Sequence, residues 1–164
     1  MPASPILIMG VSGSGKSTIG ARLAAALRLR FIDGDTLHSE SNRRKMAAGV
    51  ALNDADREPW LAAVAAALSP GGVVVACSAL RRGYRDRLRM AAPSLRLIYL
   101  CGSADLLAQR VAGREHAFMS PSLLQSQLQT LEPPGVDEHP IVADIARVPD
   151  EIVRLVIGAF NQLA

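Results

Sequence analysis

The stretch Gly10-Val-Ser-Gly-Ser-Gly15-Lys16-Ser17 fits G-x-x-x-x-G-K-[ST] at every position, between an aliphatic run at residues 6–9 and a segment of helical spacing from residue 16. No other feature narrows the fold so far. Strand, glycine-rich loop and helix in that order build a cradle whose backbone N–H groups converge on a polyphosphate, with the positive end of the helix dipole behind them. Gly10, Gly13 and Gly15 keep side chains out of that approach. Val11, Ser12 and Ser14 complete a loop suited to ATP, with Lys16 as a compact charge for the β- and γ-phosphates, Ser17 as a hydroxyl for Mg²⁺ and Thr18 as a second hydroxyl.

With 164 residues, 49% hydrophobic and 20% charged, the chain has the size and composition of one globular domain, residues 1–164. Charged residues interrupt every apolar run well short of the ~18 residues that a membrane span needs, so no membrane partner is expected. The first residues carry no basic leader, which predicts a cytoplasmic location. Eighteen Lys+Arg against 15 Asp+Glu gives a net charge of +3, but aromatics are only 4% and no long basic run appears. That balance suits small anionic ligands better than nucleic acid. The two cysteines, Cys77 and Cys101, match no zinc spacing and read as reduced core thiols.

Short aliphatic runs alternate with longer segments of helical spacing, the pattern of an α/β fold whose parallel sheet is covered on both faces. Five strands are predicted at residues 6–9, 30–32, 73–77, 97–100 and 145–148. Helices are predicted at 16–27, about 37–48, 54–68, 81–90, 104–112, 122–131 and 150–163.

Past the second strand, Asp33-Gly-Asp35 sets two carboxylates at the carboxyl end of the sheet, where open α/β sheets bind ligands. Gly34 permits a turn that sends Asp33 toward the metal and Asp35 toward an incoming hydroxyl, whose proton Asp35 could accept. Asp35 also suits a helix cap, and the two roles are compatible. Asp35, His38, Asn42, Lys45 and Gly49 recur at helical steps and share one polar face, either a solvated surface or a wall for a hydroxylated ligand. No aspartate follows the strand at 73–77, which leaves Asp33 as the second metal ligand.

Further blocks extend the pattern: Asp33-Gly-Asp35-x-x-His38, Asn42-x-x-Lys45-Met46-x-x-Gly49, Leu52-x-Asp54-x-Asp56-Arg57-x-Pro59-Trp60, Cys77-Ser-Ala-Leu80-Arg81, Tyr84-Arg85, and Leu123-Leu-x-Ser126-Gln127-x-x-x-Leu131-Glu132. Together with the phosphate loop they resemble the gluconokinase family over residues 10–132. The resemblance implies the three-layer P-loop kinase fold of nucleoside-monophosphate and shikimate kinases, with a five-stranded parallel sheet. It also implies a helical acceptor-binding segment at about 37–68 and a mobile lid at about 114–132. The implied reaction carries the ATP γ-phosphoryl group to the 6-hydroxyl of D-gluconate, with Mg²⁺ as cofactor. A homodimer is implied by the resemblance alone.

Gluconate needs a cation for its carboxylate and neutral donors for its polyol. Arg57 and Arg81 are the expected cations, although Arg57 also suits a surface ion pair. His38, Asn42, Lys45 and Gln127 are the further expected acceptor-binding residues. By resemblance to the wider kinase superfamily, Arg110 would stack on adenine and Arg114 would stabilise charge during transfer. Alanine stands at 51 where the family usually has proline, arginine at 81 where it has lysine, and the lid histidine falls at His116. The competing readings are a shikimate or nucleotide kinase of the same fold and a silent nucleotide-sensing module. The second would be expected to lose Lys16 or the Asp33/Asp35 pair, and all three are present.

Overall fold

Alternation along the predicted strands sends odd and even residues to opposite faces of a sheet, and both sets are apolar here. In the computed structural model, which describes residues 3–113 and 121–163, the strands are β1 (Ile6–Met9), β2 (Arg30–Asp33), β3 (Val73–Ala76), β4 (Arg96–Cys101) and β5 (Ile141–Asp144). They form one parallel sheet of order β2-β3-β1-β4-β5, with Ile8 of β1 in register with Ala76 on one side and Ile98 on the other.

The helices are α1 (Lys16–Leu27), α2 (Glu40–Ala47), α3 (Asp54–Leu68), α4 (Arg82–Ala91), α5 (Ala104–Ala112), α6 (Pro121–Thr130) and α7 (Pro149–Gln162). Ile6, Ile8, Val74, Ile98 and Leu100 face one core, shared with Leu23 of α1, Leu107 of α5 and Val156 of α7. Leu7, Met9, Val73, Val75 and Leu97 face the other, shared with Trp60 and Val64 of α3 and Leu88 of α4. The fully buried β1 and β3 explain why those strands read as continuous apolar runs. Among the described residues no helix is long and apolar enough to cross a membrane.

Two expectations change. The fifth strand lies at Ile141–Asp144 rather than at 145–148. Asp144 Oδ1 accepts from Ala146 N at 2.8 Å and Arg147 N donates to the Asp144 carbonyl, so the chain turns where the apolar run alone suggested extension. The helix expected at about 37–48 is a 3-10 turn at Gly34–Leu37 followed by α2, which Ser39 caps by accepting from Asn42 N at 3.1 Å. Asp35 therefore does not cap α2, and it shares no helix with Asn42 and Lys45.

Candidate active site

The loop between β1 and α1 takes the shape its glycines permit. Gly13 and Gly15 have φ of +83° and +89°, in the left-handed region, and Gly15 leads directly into α1. Lys16 Nζ lies 3.1 Å from the Val11 carbonyl, folded over the loop. At the end of β2, Ser17 Oγ donates to Asp33 Oδ2 at 2.6 Å, while Asp33 Oδ1 accepts from Asp35 N at 3.0 Å. One carboxylate thus touches the loop hydroxyl and fixes the turn that carries Asp35. Gly34 is required there because a Cβ would meet the Ala76 carbonyl. Ser17 and Asp33 offer hard oxygens side by side, a donor set that fits Mg²⁺, which keeps most of its ligands as water. Among the described residues no group of three or more His, Cys, Asp or Glu could form a metal cage.

A cleft opens on one side of the loop, lined by Ser12, Lys16, Ser17, Asp35, His38 and Arg57, with Met46, Leu52, Trp60, Ser126 and Gln127 closing it. Its charged groups, Lys16, Asp35 and Arg57, come from three elements that sequence separates, namely α1, the 3-10 turn and α3. Arg57 Nη1 lies 3.3 Å from the Tyr84 hydroxyl, which donates to Asp54, so α3 and α4 jointly aim the guanidinium. Gln127 Oε1 accepts from Ser12 N at 2.7 Å and brings α6 against the loop. Burial, reinforced by the charges of Arg57 and Arg43, lowers the His38 pKa to about 4, so the ring is neutral at pH 7.

A second cleft lies along the other side of the loop. Gly13, Gly15, Thr18, Arg110, Gly113, Arg147, Pro149 and Ile152 line it, and Arg110 Nη2 donates to the Ile145 carbonyl. The two clefts meet at Gly13 and Gly15. A molecule with a polyphosphate tail can lay that tail along the loop, place a ring beside Arg110 and Arg147, and present its terminal phosphate to the first cleft.

A family model described as shikimate kinase matches residues 12–152. A probable gluconokinase of Mus musculus is 43% identical over 95% of this chain and 97% of its own length. The thermoresistant gluconokinase of Escherichia coli is 41% identical over 95% and 93%. The chain belongs to the gluconokinase family. A crystal structure of a gluconokinase from Sinorhizobium meliloti superposes with a TM-score of 0.91 at 48% identity, covering 99% of this chain and 94% of that one. A shikimate kinase from Aquifex aeolicus, at 15% identity and a TM-score of 0.59 over 96% of both chains, shares the fold.

Of the residues that the sequence singles out, the structure gathers Ser12, Gly13, Gly15, Lys16, Ser17, Asp35, His38, Arg57 and Gln127 around the first cleft. It places Ser14, Thr18 and Arg110 at the second. Three expected acceptor-binding residues are engaged elsewhere. Asn42 is buried and donates to the Asp56 carbonyl, Lys45 pairs with Asp56 Oδ1 at 2.7 Å, and Arg81 stands 3.7 Å from Asp54. Arg114 and His116 lie outside the described residues. Glu132 accepts from Arg82 N at 2.8 Å and so completes the uncapped start of α4. Arg147 was hidden inside the strand expected at 145–148. Once β5 ends at Asp144, Arg147 falls just past its carboxyl end, where such sheets bind ligands.

Cys77 and Cys101 are free thiols. Cys77 follows the end of β3 and Cys101 ends β4, and β1 lies between those strands. Burial pushes the Cys77 thiol up to about 12, which makes it inert beside the site.

Proposed function

We propose that this chain transfers the γ-phosphoryl group of ATP to the 6-hydroxyl of D-gluconate, forming 6-phospho-D-gluconate and ADP. The observation that carries this reading is the meeting of two clefts at one phosphate loop, with an acid and a guanidinium, Asp35 and Arg57, facing the acceptor side. Relatives and a solved neighbour named as gluconokinases supply the acceptor.

In this mechanism the adenine lies beside Arg110 and Arg147, and the polyphosphate follows residues 10–18. Arg57 binds the gluconate carboxylate, a charge-assisted contact that sets the direction of the polyol. The 6-hydroxyl then reaches Asp35, which accepts its proton as the oxygen attacks the γ-phosphorus and the bond to the β,γ-bridging oxygen breaks. Lys16 holds the β- and γ-phosphates, and Arg114 meets charge on the transferred group. Mg²⁺, held by Ser17 and Asp33, would neutralise polyphosphate charge. The same reading treats residues 1–164 as one cytoplasmic domain with an acceptor-binding segment at about 37–68 and a lid at about 114–132.

Incubation with ATP, Mg²⁺ and gluconate, followed by phosphorus NMR of the product, tests the assignment. A phosphomonoester on the terminal carbon with stoichiometric ADP is the expected result; ATP hydrolysis without a sugar phosphate contradicts it.

A further inference from the structure

His38 sits among partners that fix which ring nitrogen carries its proton. Asn42 Nδ2 lies 2.8 Å from the Asp56 carbonyl oxygen, which only accepts, so the nitrogen end of the amide must face that way. The same Nδ2 stands 3.3 Å from His38 Nδ1. With two hydrogens to give, the amide donates to both, and Nδ1 is left as the unprotonated nitrogen. A neutral imidazole then carries its proton on Nε2.

The ring has little freedom to escape this arrangement. It stacks on Trp60 with centroids 4.3 Å apart and planes 10° from parallel, and Trp60 is itself held by its Nε1 donating to the Gly34 carbonyl at 2.8 Å. His38 nevertheless lines the acceptor cleft beside Asp35 and Arg57, whereas Asn42 does not line it. A sugar acid presents one anion and a row of hydroxyls. Arg57 meets the anion, but a hydroxyl oxygen calls for a neutral donor with a fixed direction.

We propose that Asn42 is a positioning residue that locks His38 in the Nε2–H form, giving the acceptor cleft a neutral donor aimed at a hydroxyl oxygen of the polyol. This deepens the assignment of gluconate as acceptor and rests on it for the identity of the oxygen. Lys45 extends the support, since its ion pair with Asp56 helps to hold the element whose carbonyl orients Asn42.

Long-range proton–nitrogen NMR on the ¹⁵N-labelled full chain reads the tautomer directly, with His38→Gln identifying the signal among the three histidines. The expected spectrum shows an unprotonated Nδ1 and a protonated Nε2; the opposite tautomer, or an averaged pair, overturns the proposal. Kinetics supply the second arm. His38→Gln and His38→Met are matched in bulk and differ in the N–H. The gluconate KM of the Met variant should be roughly five- to tenfold above that of the Gln variant, with ATP KM unchanged in both. Equal gluconate KM values overturn the donor role. In Asn42→Asp the carboxylate accepts from Nδ1–H, so the tautomer signal should reverse and the gluconate KM rise. A retained Nε2–H signal would contradict the lock, and if that variant fails to fold, the wild-type spectrum and the His38 pair decide. Absence of gluconate turnover in the wild type would sink the acceptor assignment, while the spectrum would still decide the tautomer.

Discussion

Asp35 and Arg57 face one cavity from different elements, and their chemistry divides the kinetic parameters between them. Replacing Asp35 by Asn removes the proposed proton acceptor while keeping size, so kcat should fall by about 10²- to 10⁴-fold with ATP KM nearly constant. A wild-type kcat would remove Asp35 from the mechanism. Arg57→Ala should act on gluconate KM instead, raising it about 10- to 100-fold, the range for a lost charge-assisted hydrogen bond. His38 adds a pH effect. Its pKa falls from the ordinary 6.5 to about 4 on folding, so the unfolded chain binds more protons than the folded one between those values. Stability should therefore rise with pH across that window and decline as pH drops below 6.5. Urea titrations between pH 5 and 7 check this, with His38→Gln flattening the dependence.

Elements are tied together near the site by charges that sequence periodicity does not reveal. Arg85 of α4 makes a two-pronged pair with Glu138, at 2.8 and 3.0 Å, with side-chain exposures of 1% and 0%. Burial pushes the Glu138 carboxyl upward, but its hydrogen bonds from Arg85 and from the Gly135 N–H prevail and hold it below the usual range. Glu138 also accepts from Gly135 N at 3.1 Å, so the turn before β5 is pinned to α4. Loss of one partner strands a buried charge, and Glu138→Ala should cost about 3 to 5 kcal/mol in denaturant unfolding. A loss below about 1 kcal/mol would show that the pair contributes no more than a surface bridge. Asp56 plays a comparable part between α2 and α3. It closes the capping box with Asn53 and receives Lys45, which is why two residues of the polar stripe face α3 rather than the cleft.

At the level of the whole molecule, the parallel sheet was legible because buried strands and long helices alternate with clear composition breaks; α1, α3 and α5 fall on their expected bounds, and α4, α6 and α7 shift by one residue. The phosphate loop was legible because its spacing encodes backbone geometry directly. What escaped was set by turns. Asp144 capping its own turn moved β5 four residues upstream and hid Arg147, while Ser39 split one expected helix and separated Asp35 from Asn42. Side-chain destinations were harder still. Asn42 and Lys45 have the residue types of a sugar-binding wall, and only tertiary contacts reveal that Asp56 holds them both. The most direct test of the account is coupled ADP release with ATP and a panel of gluconate, shikimate and nucleoside monophosphates. Gluconate should support turnover at a kcat/KM at least a hundredfold above every other acceptor, on the order expected when a site is built to bond particular substrate hydroxyls; equal or greater turnover with shikimate or a nucleoside monophosphate would contradict it.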